Sequence, residues 1–152
     1  MEILERLAQM PRFLDAAIES AGADLWRRPT GDFFSVGETA CHLRDLEREG
    51  YLVRVRRILA EDTPDLAGFD GAAVAAERDY PSQDARVAAR DFASARAELI
   101  ELVRRAGRAE LSREATIFGE RITLEKLVSM VEEHDRGHRA EIEAIISAVE
   151  AR

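Results

Sequence analysis

The stretch Leu124–Val149, LEKLVSMVEEHDRGHRAEIEAIISAV, constrains the fold more than any other. Leu124, Leu127, Val131, Ile142, Ile145 and Val149 recur at steps of three, four and their multiples, which predicts one long helix. At about 100° per residue they form a narrow apolar stripe that other elements must cover. His134 and His138 lie in the middle of this stripe, between Val131 and Ile142. Being four apart, their rings leave the same face one turn from each other. Burying a polar ring without a hydrogen bond costs roughly 1–3 kcal/mol, so both rings need partners. A divalent metal ion is one partner that serves two imidazoles at once. The chain has three histidines, and the third, His42, falls on another predicted helix.

What covers the stripe is expected to be helical as well. Ala, Leu, Arg and Glu dominate, while 9 Gly and 4 Pro leave few breaks. With 152 residues, 46% hydrophobic and 34% charged, the chain is expected to form one globular domain spanning residues 1–152. The formal charge of −8 repels polyphosphate and argues against a nucleic-acid partner. No apolar run approaches the roughly 18 residues of a membrane span. The start, MEILERLAQM, has no basic leader before an apolar core, so no signal peptide is expected and the predicted location is cytoplasmic. Cys41 stands alone, which excludes an internal disulfide and cysteine-based zinc motifs.

Residues 3–21 carry Ile3, Leu7, Met10, Leu14, Ala17 and Ala21 on one helical stripe. Pro11 predicts a kink or a restart there, and Gly22 a stop. Pro29 and Gly31 mark a turn in the next connection, and Trp26 with Phe33 and Phe34 is expected to pack over one end of the core. Ser35 and Glu38 have the spacing of a capping box, so a second helix starts there and runs to about Ala60. Val36, Ala40, Leu43, Leu46 and Val53 form its core arc, with His42 at the edge. Leu52, Val55 and Leu59 fall on a second face, from which a homodimer through this helix is expected. Residues 61–81 make a long link broken by Pro64, Gly68 and Gly71, with a short helix within AAVAAERDY. A link of about 20 residues suits a crossover along the bundle, which leaves helices two and three parallel. The third helix is expected to start with Ser82 as N-cap and Asp84 in its first turn. It carries Ala88, Phe92, Ala95, Leu99, Leu102 and Ala106, and ends near Gly107. Ala115–Phe118 reads as a brief extended segment or hairpin, and Thr123 caps the fourth helix. The expected fold is an all-α four-helix bundle.

Several metal motifs compete for the histidines. HDRGH has the spacing of the zinc-protease motif HExxH, but Asp135 is one methylene short of the general base and no further histidine follows His138. Carboxylate-bridged di-iron bundles need a Glu-x-x-His pair on each of two helices. Asp135-x-x-His138 is similar to one such pair, yet Thr39 and not an acid precedes His42 by three. Three neutral imidazoles with open positions suit Zn²⁺, Ni²⁺ or Fe²⁺, and ligand type alone does not choose among them. Cys41 and His42 point about 100° apart on a helix, so the thiol is read as packed and not as a nucleophile. Asp45, one turn after His42, either orients that imidazole or pairs with an arginine. Asp135 and Glu141 are read as solvated or rim charges.

The ordered set of features resembles the DinB/YfiT-like superfamily. Its elements here are Trp26 with Pro29 and Gly31, Ser35-Val36, His42-Leu43-x-Asp45-x-Glu47, Pro64-x-Leu66, Tyr80, Phe92 with Arg96, and Gly119 with Thr123-Leu124. The closing element is His134-Asp135-x-x-His138-x-x-x-Ile142, and the match runs over nearly the whole chain. The resemblance implies an up-down-down-up bundle, a divalent metal on His42, His134 and His138, and often a homodimer. It also implies thiol-dependent S-transferases and isomerases as relatives, using low-molecular-weight thiols such as bacillithiol or mycothiol. Glu141 stands where relatives often carry glutamine, so a substrate contact made by that amide is not expected here. Two functions follow from the resemblance. One is a metal-dependent thiol S-transferase, in which the metal lowers the pKa of a bound thiol and holds it against an electrophile. The other is a non-catalytic, stress-associated bundle whose ion only ties two helices together.

Overall fold

The structure is a computed structural model and describes residues 2–27 and 34–150, without the side chains of 23–27. The expected packing of Trp26 and Phe33 and the turn at Pro29 and Gly31 therefore lie outside the described residues. Helix α1 (Glu2–Arg27) passes through Pro11 and is broken at Gly22, whose φ of 72° only glycine adopts without strain. The second helical run consists of α2 (Val36–Asp45), a π turn (Leu46–Tyr51) and α3 (Leu52–Ala60). Its capping box forms: Glu38 N–H donates to Ser35 Oγ at 3.1 Å, and Ser35 N–H donates to Glu38 Oε1 at 3.2 Å. The long link holds β1 (Asp65–Leu66), α4 (Gly71–Arg78) and one 3₁₀ turn (Tyr80–Ser82). Helix α5 (Ala85–Arg105) and the short α6 (Arg108–Leu111) follow, then β2 (Glu114–Ile117), β3 (Glu120–Thr123) and α7 (Leu124–Glu150). Thr123 caps α7 as expected, accepting from Lys126 N–H at 3.1 Å. The N-cap of α5 is Asp84 and not Ser82, because Ser82 closes the 3₁₀ turn while Asp84 Oδ1 accepts from Arg86 N–H at 2.9 Å.

The four long helical segments form an all-α bundle. Contacts between α2–α3 and α5 advance together, from Arg44 with Gln83 through Arg48 with Asp91 to Arg56 with Glu98, so these segments run in the same sense. Those between α1 and α5 go in opposite order, Glu19 with Arg86 and the Leu7 carbonyl with Arg96. A small sheet closes one end: β2 and β3 form an antiparallel hairpin, and β1 adds to β2 in parallel. Phe118 and Gly119 turn the hairpin with φ of 51° and 78°, the positive values a two-residue turn of this kind needs. Arg113 fixes the sheet to the bundle by donating to the Ile58 and Glu61 carbonyls at 2.7 and 2.6 Å.

The π turn changes what the second helical run buries. Leu52 N–H donates to the Glu47 carbonyl, five residues back, so the helix takes in one extra residue. Everything after it is rotated by roughly one residue, about 100°. Leu52 and Val55 are buried in the core and Leu59 packs against it, while Val53 is 41% exposed. The sequence expectation is thus inverted on both counts: Val53 faces out, and the supposed second face is the core face continued past the extra residue. No separate apolar face remains on Leu52, Val55 and Leu59 for a dimer through this helix.

The core itself falls into two apolar clusters. One gathers Leu4, Leu7, Leu52, Val55, Leu99, Leu124, Leu127 and Val131 near the sheet. The other gathers Met10, Leu14, Val36, Ala40, Leu43, Ala88, Phe92, Ile142 and Ile145 at the far end. On α7 the change from one to the other comes between Val131 and Ile142, and apart from Gly137 and Ala140 the side chains in that interval are polar.

Candidate metal centre

His42 comes from α2, one turn before the π turn, and is 8% exposed. His134 and His138 come from successive turns of α7 and are partly buried. The structure brings all three together: their ring centroids lie 5.0 Å (His42–His138), 5.7 Å (His42–His134) and 4.4 Å (His134–His138) apart. One potential ligand atom from each lies within 4.8 Å of the others.

The ring nitrogens of His134 and His138 define an acceptor geometry. His138 Nδ1 lies 3.0 Å from Glu141 Oε2. An ionised carboxylate only accepts, so Nδ1 carries the proton and His138 Nε2 keeps a lone pair. That lone pair lies 3.1 Å from His134 Nε2. Two ligands of one tetrahedral zinc, at about 2.0–2.1 Å from the ion, are separated by about 3.3 Å, so this pair is already close to ligand spacing. Glu141 is exposed, as expected of a rim charge, and it also orients the imidazole behind it.

Electrostatics keep the rings in the form a metal needs. Burial pushes His42 down to about 4, with repulsion from His138 adding to the effect and Asp45 opposing it. Burial also pushes His134 down to about 3, aided by His138 and His42. Near neutral pH both are uncharged and able to ligate. Nδ1 of His42 and Nδ1 of His134 are buried without a hydrogen-bond partner among the described residues, an arrangement costing roughly 1–3 kcal/mol per group. The donor set, three convergent imidazoles of which His42 and His134 are held neutral, fits a divalent ion.

The crossover forms a wall over this cluster. A Cβ on Gly71 would stand 2.9 Å from His42 Cε1, so only glycine lets the start of α4 come this close. Phe34 and Phe69 flank the His42 ring at 5.4 and 6.4 Å, and the Tyr51 ring meets His134 edge-on at 6.0 Å.

The structure corrects the reading of Asp135 and decides between the two readings of Asp45. Asp135 is no rim charge: it is 7% exposed, and its carboxylate takes two hydrogen bonds from Arg96, at 2.6 and 2.9 Å. Arg96 is 1% exposed and also binds Glu47, itself 1% exposed, and the Leu7 carbonyl. Burial pushes Glu47 and Asp135 up, against the pull of Arg96. Asp45 does not orient His42. Its carboxylate accepts from Tyr80 Oη at 2.6 Å and from Arg44 at 2.8 Å. Burial pushes Asp45 up, but Arg44, Tyr80 and Arg78 outweigh it and hold it below the usual range. Cys41 is buried, with its thiol 3.7 Å from Gln83 Oε1, and burial raises it to about 11, consistent with an inert packed thiol. Sequence reasoning missed the Arg96 cluster, although a signal was present: Glu47, Arg96 and Asp135 each stand four residues after a core apolar residue, Leu43, Phe92 and Val131.

Fold and site together define a helical bundle with a convergent triad of histidines at mid-height. Residues 6–142 match the DinB superfamily, and the chain belongs to that family. YfiT from Bacillus subtilis, described as a probable metal-dependent hydrolase with an unusual four-helix bundle topology, superposes with a TM-score of 0.90 at 22% identity, over 97% of this chain and 86% of that one. YjoA, a DinB-like protein of Bacillus subtilis, superposes with a TM-score of 0.62 at 13% identity, over 98% and 92%. At these identities the likeness shows the fold. No curated protein matches the sequence significantly.

Proposed function

We propose that His42, His134 and His138 hold one divalent ion, zinc, nickel or iron, and that the protein uses it to activate a low-molecular-weight thiol for S-transfer. The observation that carries the metal reading is the convergence of three imidazoles from two helices, two of them with a buried nitrogen lacking any partner among the described residues. A divalent ion lowers the pKa of a coordinated thiol or water and supplies a nucleophile near neutral pH. Bringing a thiol down from about 8.5 by two units corresponds to nearly 3 kcal/mol of differential stabilisation.

The protein's own groups have separable tasks in this reading. Glu141 accepts the His138 Nδ1 proton and turns Nε2 towards the shared point. Phe34, Phe69 and Gly71 shield the His42 side from water. Three ligands leave at least one open position, which favours chemistry over a purely structural ion. Cys41 takes no part. Metal-dependent hydrolysis is the second reading, favoured by the description of YfiT, and it would use the same ligands to activate water.

Metal analysis of untagged protein, followed by parallel assays of thiol transfer to an electrophile and of ester hydrolysis, tests the reading. Bound metal in the wild type and its loss in His138→Ala are expected, with transfer lost alongside and Cys41→Ala unaffected. Equal transfer rates for wild type and His138→Ala, at matched folding, would remove thiol activation by the triad.

A further inference from the structure

Two arginines are buried next to the mid-bundle layer, and they are treated very differently. Arg96 is bound by two carboxylates and a carbonyl. Arg54, the third residue of α3, is 8% exposed and has no carboxylate partner. Its Nε and Nη2 both donate to one acceptor, the Ala67 carbonyl, at 3.3 and 3.2 Å, and its guanidinium carbon lies 5.5 Å from the Tyr51 ring centroid. No hydrogen bond engages Nη1, and it is not among the fully buried unpartnered atoms, so it reaches an accessible space. The same holds for the Tyr51 hydroxyl. Burial disfavours the charge on Arg54, Tyr51 opposes this only in part, and no carboxylate among the described residues pairs with it. A buried guanidinium without a counter-ion is rare, since desolvating a charge costs several kcal/mol unless it is paired.

The position of this cation gives it a use. The π turn that rotates α3 carries Tyr51 at its end, and the Tyr51 ring contacts both Arg54, which lies over it, and His134, which meets it edge-on. A small molecule with its reacting group at the histidines could therefore present a second group to the phenol and the guanidinium. We propose that Arg54 and Tyr51 form a carboxylate-binding subsite beside the histidine cluster, selecting a substrate that carries a carboxylate. Arg54 supplies a charge-assisted donor and Tyr51 a hydroxyl donor. The inference rests on the reading of the histidine cluster as the reaction centre, and its test separates the two.

The first arm needs no metal. Propionate is titrated into the metal-free protein while arginine Nε–H signals are followed by NMR, the Arg54 signal being the one absent from Arg54→Gln. A saturable shift of that signal is expected, weakened in Tyr51→Phe and absent with propionamide. No shift, or a non-saturating drift shared by the exposed arginines, overturns the subsite. Glutamine can still donate to the Ala67 carbonyl, and circular dichroism checks that Arg54→Gln folds. The second arm compares 3-mercaptopropionate with 3-mercaptopropionamide on zinc-loaded protein by calorimetry. Loss of a charge-assisted hydrogen bond is worth about tenfold or more in affinity, so wild type should prefer the carboxylate by that factor and Arg54→Gln should not. Equal binding of both thiols overturns the subsite and leaves thiol activation standing. If neither thiol binds, thiol activation falls, and the propionate titration alone decides on the subsite.

Discussion

His134 and Asp135 are neighbours on α7, yet they belong to polar clusters built on opposite principles. Around Asp135 every charge is answered: Arg96 donates to two carboxylates and a backbone carbonyl, all of them buried in the bundle. Around His134 the rings meet one another only through the 3.1 Å contact between His134 Nε2 and His138 Nε2, and Nδ1 of His42 and of His134 stay buried without a partner among the described residues. The Arg96 cluster is closed and completes itself on folding. The histidine cluster is open: two of its ring nitrogens have no partner among the described residues. Of two adjacent polar clusters in one core, the incompletely satisfied one is the functional candidate.

The largest test of this contrast removes the centre of the closed cluster. Arg96→Met leaves Glu47 and Asp135 buried together without their cation and is expected to cost about 3–5 kcal/mol in urea denaturation. A loss below about 1 kcal/mol would mean that water already reaches this cluster, and the contrast would disappear. Next comes the missing partner itself. Zinc at a hundredfold excess over its dissociation constant should stabilise the protein by about 2.7 kcal/mol, visible as a shift of the thermal midpoint that a chelator reverses. In His134→Phe that shift should vanish, while the metal-free variant is as stable as wild type or slightly more so, since an unpartnered nitrogen has been removed.

A third test is smaller and uses pH. His42 and His134 have folded-state values of about 4 and about 3, below the usual 6.5. Below pH 6.5 the unfolded chain therefore binds protons that the folded chain refuses. Their contribution to stability is complete above pH 6.5 and is lost as pH falls through about 4 and then about 3. Metal-free wild type should show a steeper fall than a His42→Gln, His134→Phe double variant between pH 6.5 and 4. Parallel curves would show that the rings are hydrated, and the open cluster would lose its meaning. A separate test, read as a difference between two neighbours, concerns the π turn beside both clusters. Leu52→Ala should cost about 2–5 kcal/mol and Val53→Ala stay within about 0.5 kcal/mol, against the order a regular helix would give.

Much of this was determined by local sequence alone. Apolar steps of three and four, the Ser35–Glu38 capping box and Thr123 specify the helices and several of their ends, because those interactions lie within one or two turns. The same periodicity puts His134 and His138 on one face, and His42 on a neighbouring arc. What the sequence did not determine is which side chains meet across the bundle. The extra residue at Leu46–Tyr51 is recorded in no local motif, and it moves Val53 from the expected core arc to the surface. Asp135 reads as a rim charge until Arg96, on another helix, is brought against it. Asp45 is one turn from His42 yet is taken by Tyr80 and Arg44. Pairing between residues distant in sequence depends on how whole helices rotate and dock, and a difference of one residue in helical phase, about 100°, decides whether a charge meets a partner or water.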